Sequence, residues 1–353
     1  MKNRIDFLDG MRGVAILLVI AFHAYTRWTD LVPYGESYAE IPLFHYGWLG
    51  VQLFFLISGF VIFMSLERSR SFFHFVKKRW TRLFPAMAVV SMLVYLTFPF
   101  FSDGPSNAPT PVDLIPGLTF LDPRWWSAWL GIPVKSLEGP FWTLYVEFKF
   151  YIIAALLYFF AGRRFVVPAL TGMYLLALAA TLFHHLPDFS FLHVLKELSD
   201  QASFEHFGWF ASGAAFYLYY RTKSPRWLVA AWLVGLAAVA ILRDAHSLIP
   251  PLYGTSLLTL FGLSMSFAPV QTFLRNPLFL FLGFVSYPLY LIHENAMISL
   301  TVKLSRIFPQ IPGYLYPWIA IASLLPLTWF IAKHVEPRLK RLLLRVVPPR
   351  EET

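Results

Sequence analysis

The stretch DGMRGVAILLVIAFH, Asp9 to His23, decides the fold. Nine apolar residues, Val14 to Phe22, run between ionisable ends: Asp9 and Arg12 before them, His23 after. On an α-helix, residues eleven apart differ by about 1100°, roughly 20° beyond three turns, so Arg12 and His23 share a face about 16 Å apart along the axis. Asp9 joins that face one turn earlier. A cleaved leader would start with a basic segment and end in a small-residue cleavage pattern. Here Asp6 and Asp9 occupy the start and no such pattern follows, so the stretch reads as an uncleaved first membrane span.

The rest of the chain has the same character. Of 353 residues, 57% are hydrophobic and 14% charged, against about 25% charged in soluble domains. The apolar residues come in long runs rather than amphipathic stripes. Runs long enough to span fall near 10–27, 46–66, 83–101, 141–161, 165–183, 203–221, 226–243, 250–269, 278–299 and 315–333. The expected fold is an all-α bundle of about ten transmembrane helices, with both termini on one side. That arrangement puts 21 of the 29 Lys and Arg residues on the terminal side and 7 opposite, with Lys149 inside a span. The bias makes the terminal side cytoplasmic and the protein multi-pass in the cell membrane. Residues 1–345 read as one membrane domain and 346–353 as a short cytoplasmic tail, with no appended soluble domain.

The net charge of +9 follows from these short basic segments, so nucleic-acid binding is not indicated. Cysteine is absent, which excludes disulfides and thiolate chemistry. No metal-ligand spacing, phosphate-binding glycine loop or nucleophile elbow is present; the HEN at 293–295 lacks the second histidine of a zinc helix. His184, His185 and His193 read as solvated loop residues. The longest segment between runs, Ser102 to Pro140, is rich in Pro, Gly and Trp. Its RWWSAW, Arg124 to Trp129, reads as an interfacial anchor ahead of a sugar-facing surface.

Ionisable groups inside spans are costly and mark functional sites by default. Topology sets their depth. Arg12 falls near the cytoplasmic face, with the KKRWTR segment, Lys77 to Arg82, on the same side. His23, Glu147, His293 and Glu294 fall in the outer half, and Ser58 near mid-depth. A cationic inner mouth suits a phosphorylated ligand, and Arg79 and Arg82 share one helical face there. A histidine near a carboxylate suits general-base chemistry. Each feature has a plainer reading. Charge alone favours KKRWTR as a topology signal, His23 could snorkel to the interface, and Glu147 could pair with Lys149 or Arg124. A proton-coupled transporter of an anionic metabolite would use similar groups, although no internal duplication is visible.

Taken together, the motifs resemble the acyltransferase 3 family of integral-membrane enzymes, from about Arg4 to Arg341. DGMRG with FH resembles the family's opening, with Arg12 and His23 at its Arg and His positions. GVQLFFLISGFVI carries the glycine–serine motif at Ser58 and Gly59. RWTR gives the arginine pair, Arg79 and Arg82. FWTLYVEFKFY keeps Trp142, Leu144, Glu147, Phe150 and Tyr151, with Thr143 in place of the usual serine. SYPLYLIHE resembles the ninth-span pattern through Tyr287 and His293, and VEPRLKR the closing tail. Many members carry a C-terminal extracytoplasmic domain, so a separate partner, or none, is expected here.

The resemblance implies acetyl-CoA or another acyl-CoA as donor and a hydroxyl acceptor on a cell-surface or lipid-linked saccharide, with a macrolide, lipid or amine acceptor as the nearer alternatives. Arg79 and Arg82, with Arg12, would then hold the donor phosphates, and Asp9 would support the first helix. His23 would be general base or acyl carrier, oriented by Glu147, with Ser58, Tyr287 or His293 as oxyanion donors. No metal is implied.

Overall fold

The computed structural model describes residues 5–183, 190–242 and 247–346. Lys2, Arg4, His184, His185, Arg243 and Arg350, and all of the expected tail beyond residue 346, lie outside the described residues. The described elements are helical, with no strand among them. The principal helices are α1 (Asp6–Phe22), α2 (Gly50–Leu66), α3 (Phe72–Thr97), α4 (Trp142–Leu156), α5 (Val166–Phe183), α6 (Ser190–Ala202), α7 (Phe207–Thr222), α8 (Pro225–Ala240), α9 (Ile249–Ser264), α10 (Ala268–Leu274), α11 (Pro277–Ile307), α12 (Tyr316–Phe330) and α13 (Glu336–Val346).

Every run picked out from hydropathy falls on one of these helices. Among the described residues, seven helices are long and apolar enough to cross a bilayer, and eight if a bent pair counts as one span. That pair is α9 and α10, which meet at 106°. The runs at 203–221 and 226–243 fold into α7 and α8, each of 16 residues. A run of hydropathy measures apolar content; it does not report where a helix breaks, and Pro269 near the start of α10 forms part of such a break.

Two compact units divide the chain. The first comprises Met1–Arg12, Val51–Val76 and Val146–Asn276, the second Gly13–Gly50, Lys77–Tyr145 and Pro277–Thr353. In the first, α7 packs on α5 and α8. Gly59 of the SG motif earns its place there: a Cβ on it would collide with the backbone carbonyl of Phe210, so only glycine lets α2 approach α7 so closely. Glu67 at the end of α2 is gripped by Arg163 (2.6 Å), by Arg221 and by the Tyr217 hydroxyl (2.6 Å), closing that unit with an ion-pair cluster. In the second unit α11 packs along α12 and carries a run of buried residues from Pro288 to Ser299. Among them are the polar residues His293, Glu294, Asn295 and Ser299, and their partners define the site.

Candidate active site

At His23, α1 leaves α-helical geometry and continues as a π-helical turn over His23–Arg27. Such turns close i to i+5 and occur often at functional sites. The consequence is local and specific: His23 and Trp28, five residues apart, both reach Oε1 of Glu294. The Trp28 indole N–H donates to it at 3.0 Å, and His23 Nε2 stands 3.2 Å away. His23 Nδ1 lies 3.0 Å from the Val19 carbonyl and 3.1 Å from His293 Nε2. His293 Nδ1 lies 2.9 Å from the Tyr290 carbonyl.

Hydrogen-bond partners assign the tautomers. A carbonyl only accepts, so both Nδ1 atoms carry the protons. His293 Nε2 then receives part of the His23 Nδ1–H bond, and His23 Nε2 faces Oε1 of Glu294, which like a carbonyl only accepts. A proton taken up there would meet the Glu294 carboxylate. Glu294 is 4% exposed and His293 fully buried, so their charges and dipoles act at low local dielectric.

Glu294 is itself held from behind. A Cβ on Gly139 would stand 3.1 Å from the Glu294 carboxyl carbon and closer still to Oε2, so the glycine backbone is the wall against which the carboxylate rests. The adjacent Glu138 accepts from the Asn295 backbone N–H at 3.2 Å. Burial, and then the neighbouring Glu294 carboxylate, push Glu138 well above its ordinary value and favour its protonated form.

The segment Ser102–Pro140 is a folded cover. Asn295 donates through Nδ2 to the Phe101 carbonyl (3.1 Å) and accepts from the Ser106 amide (3.1 Å), and Ser299 donates to the same carbonyl. Asp113 accepts from the Lys135 amide at 2.7 Å and from the Thr110 amide and hydroxyl at 2.8 and 2.7 Å. Burial pushes the Asp113 carboxyl up, but these donors more than offset it and hold it below its usual range. The Lys303 ammonium, with Arg306 beside it, lowers Asp103 in the same way. RWWSAW forms a short helix, Pro123–Leu130, with Trp129 exposed.

The other residues singled out in the sequence have their own partners. Glu147, expected beside His23, belongs to the first unit, where it accepts from the Ser58 and Tyr151 hydroxyls, both at 2.5 Å. The carboxylate brought to His23 is Glu294. Lys149 donates to the Gln201 carbonyl and Ser203, and Arg124 pairs with Asp122. The Ser58 and Tyr287 hydroxyls, expected as oxyanion donors, give their protons to Glu147 and the Leu83 carbonyl, and His293 faces His23. Asp9 pairs with Arg12 at 2.6 Å across one turn. On α3, Arg79 is buried and Arg82 exposed. Glu336 of α13 lies within electrostatic reach of Arg82 and Lys340, and Lys340 within reach of both Arg79 and Arg82, so the three cations gather close together.

Trp28, Glu138 and Asn295 escape a reading by periodicity. The π turn shifts the phase at Trp28, and Glu138 ends a loop. Asn295 sits in a motif weighed only as a metal site. Among the described residues no group of three or more potential metal ligands is present.

Residues 5–333 match a family described as an acyltransferase domain. The chain belongs to the acyltransferase 3 family. Among its relatives is BcsY of Komagataeibacter xylinus, whose name describes a membrane-bound transacylase. It is 29% identical over 71% of this chain and 60% of its own length. An O-acetyl transferase of Shigella phage Sf6 is 30% identical over 47% of this chain and 50% of its own. The peptidoglycan O-acetyltransferase OatA of Listeria monocytogenes is 28% identical over 43% of this chain and 24% of its own. The matches thus cover between a quarter and three fifths of these relatives' lengths. No solved structure matches the chain.

Proposed function

We propose that the protein is a membrane O-acyltransferase, most simply an O-acetyltransferase, that moves an acyl group from acyl-CoA to a saccharide hydroxyl, with His23 as the general base. The observation that carries this reading is the His23 ring: Nδ1 turned to the Val19 carbonyl and His293, and Nε2 beside a buried carboxylate. Family membership and the transacylase and O-acetyltransferase names of its relatives support the reaction class.

The steps balance without an outside reagent. His23 Nε2 takes the hydroxyl proton as the oxygen attacks the thioester carbonyl. Glu294, beside that same nitrogen, stabilises the imidazolium that forms through its negative charge. The carbon–sulfur bond breaks, the ester leaves as product, and the imidazolium returns its proton to the CoA sulfur. The positive-inside bias supports a cytoplasmic donor, and the cationic group around Arg79, Arg82 and Lys340 supports docking of its phosphates. His293 holds His23 and is a positioning residue.

His23→Ala tests the reading. Purified in lipid, the variant should still bind acetyl-CoA while transfer falls by about 10²–10⁴-fold. Wild-type turnover by His23→Ala would remove the proposal.

A further inference from the structure

Within the second unit lies a cavity of about 170 Å³ that no step above requires. Its lining includes Trp28, Ser106, Asp113, Lys135, Ser136 and Glu294. Two of these, Trp28 and Glu294, are the residues hydrogen-bonded to each other beside His23 Nε2. The cavity therefore opens onto the carboxylate that faces the basic nitrogen. The remaining wall is the Ser102–Pro140 cover, stapled to α11 by Asn295 and cross-braced at Asp113.

We propose that this cavity is the acceptor subsite and that it takes one hydroxylated ring, a single sugar unit, with the reacting hydroxyl turned toward His23. The inference rests on the acyltransferase reading and names its acceptor site. Size sets the first limit: pockets for drug-sized ligands run to roughly 300–1,000 Å³, so this one holds a ring and not an oligosaccharide. Lining sets the second. The Trp28 indole and the apolar Pro105, Ala108, Pro109 and Leu137, beside Ser106, Ser136, Lys135 and Glu294, fit a ring with an apolar face and many hydroxyls. Asp113 and Glu294 in the same wall disfavour the donor's phosphates. Rigidity is the third. With the Asp113 carboxylate and the Asn295 amide both spent on holding the cover, the shape exists before the ligand arrives, which lowers the ordering cost of binding.

The chain's lack of cysteine gives a direct test. Ala108→Cys places one thiol in the cavity wall. The full-length protein in lipid vesicles is treated with a methanethiosulfonate reagent, with and without the methyl glycosides of glucose, galactose, N-acetylglucosamine and rhamnose. CoA release from acetyl-CoA is followed before and after labelling. At least one glycoside should slow labelling and stimulate CoA release. Labelling should then lower the ratio of stimulated to unstimulated release by at least about tenfold, as expected for an overfilled site. Stimulation that survives complete labelling overturns the proposal, as does a thiol that no glycoside protects. Protection is read without turnover, so the cavity stands or falls on it alone. CoA release that is the same in wild type and His23→Ala would instead count against the enzymatic reading.

Discussion

Replacing Gly139 by alanine adds one methyl group to a residue distant from His23 in sequence, and it should disable the site. The new Cβ would stand 3.1 Å from the Glu294 carboxyl carbon and inside the contact radius of Oε2. Ordinary contact begins near ~3.5 Å, so the carboxylate must retreat by on the order of 1 Å. The atom that moves is the far end of a flexible side chain, so the stability cost is small, below about 1.5 kcal/mol. The catalytic cost is not small. Oε1 of Glu294 is fixed by Trp28 at 3.0 Å and faces His23 at 3.2 Å, and a 1 Å misplacement in such a constellation costs about 10²-fold. We therefore expect kcat for acyl transfer to fall about a hundredfold while the melting temperature moves by only a few degrees. A cycle with Glu294→Gln isolates the route. If the methyl acts through the carboxylate, Gly139→Ala should add little in the Glu294→Gln background. Full activity of the alanine variant, or losses that simply add, would refute the reasoning.

Two further outcomes follow from the same geometry. Burial and Glu294 raise the Glu138 carboxyl, so the folded protein keeps that proton at higher pH than the unfolded chain, whose value lies near ~4.3. Its stabilising contribution is complete below that value and is lost as pH rises toward the raised folded value. Glu138→Gln removes the slope and should melt higher than wild type at alkaline pH, with the difference vanishing near pH ~4; parallel curves would contradict the assignment. Arg79→Ala combined with Arg82→Ala should abolish the rise in melting temperature that saturating acetyl-CoA gives the wild type, about 2.7 kcal/mol of stabilisation at 100 times Kd. An unchanged shift would return that cluster to a role in topology.

The helical class and the positions of the helices were legible because each run of apolar residues is a local property of the chain. The break in the run at 250–269 was not, since α9 turns through 106° into α10. At the site, His23 and His293 stood out as ionisable groups within apolar runs, and depth put Glu294 beside them in the outer half. The sequence pointed to Glu147 as the carboxylate beside His23, and the structure brings Glu294 within reach of it. Depth, read from the expected topology, fixes one coordinate only, and it gives Glu147 and Glu294 the same one. What separates them is which helix packs on which, and each of the two carboxylates has its partners in its own unit. The cover over the cavity was legible only as a long loop, because its braces run from side chains to backbone and leave no periodic trace.

The π turn after Val19 has a consequence for descent as well as for chemistry. It is an α-helix with one residue more than its neighbours, and each residue of an α-helix turns the chain by about 100°. Deleting one residue between His23 and Trp28 would restore the regular helix and swing the indole away from Glu294, while leaving the hydrophobic run and the membrane span intact. Gaining that single residue would bring the indole to a carboxylate that His23 already faces. In relatives aligned across positions 23 to 28, a one-residue gap should therefore coincide with the loss of an aromatic N–H at position 28.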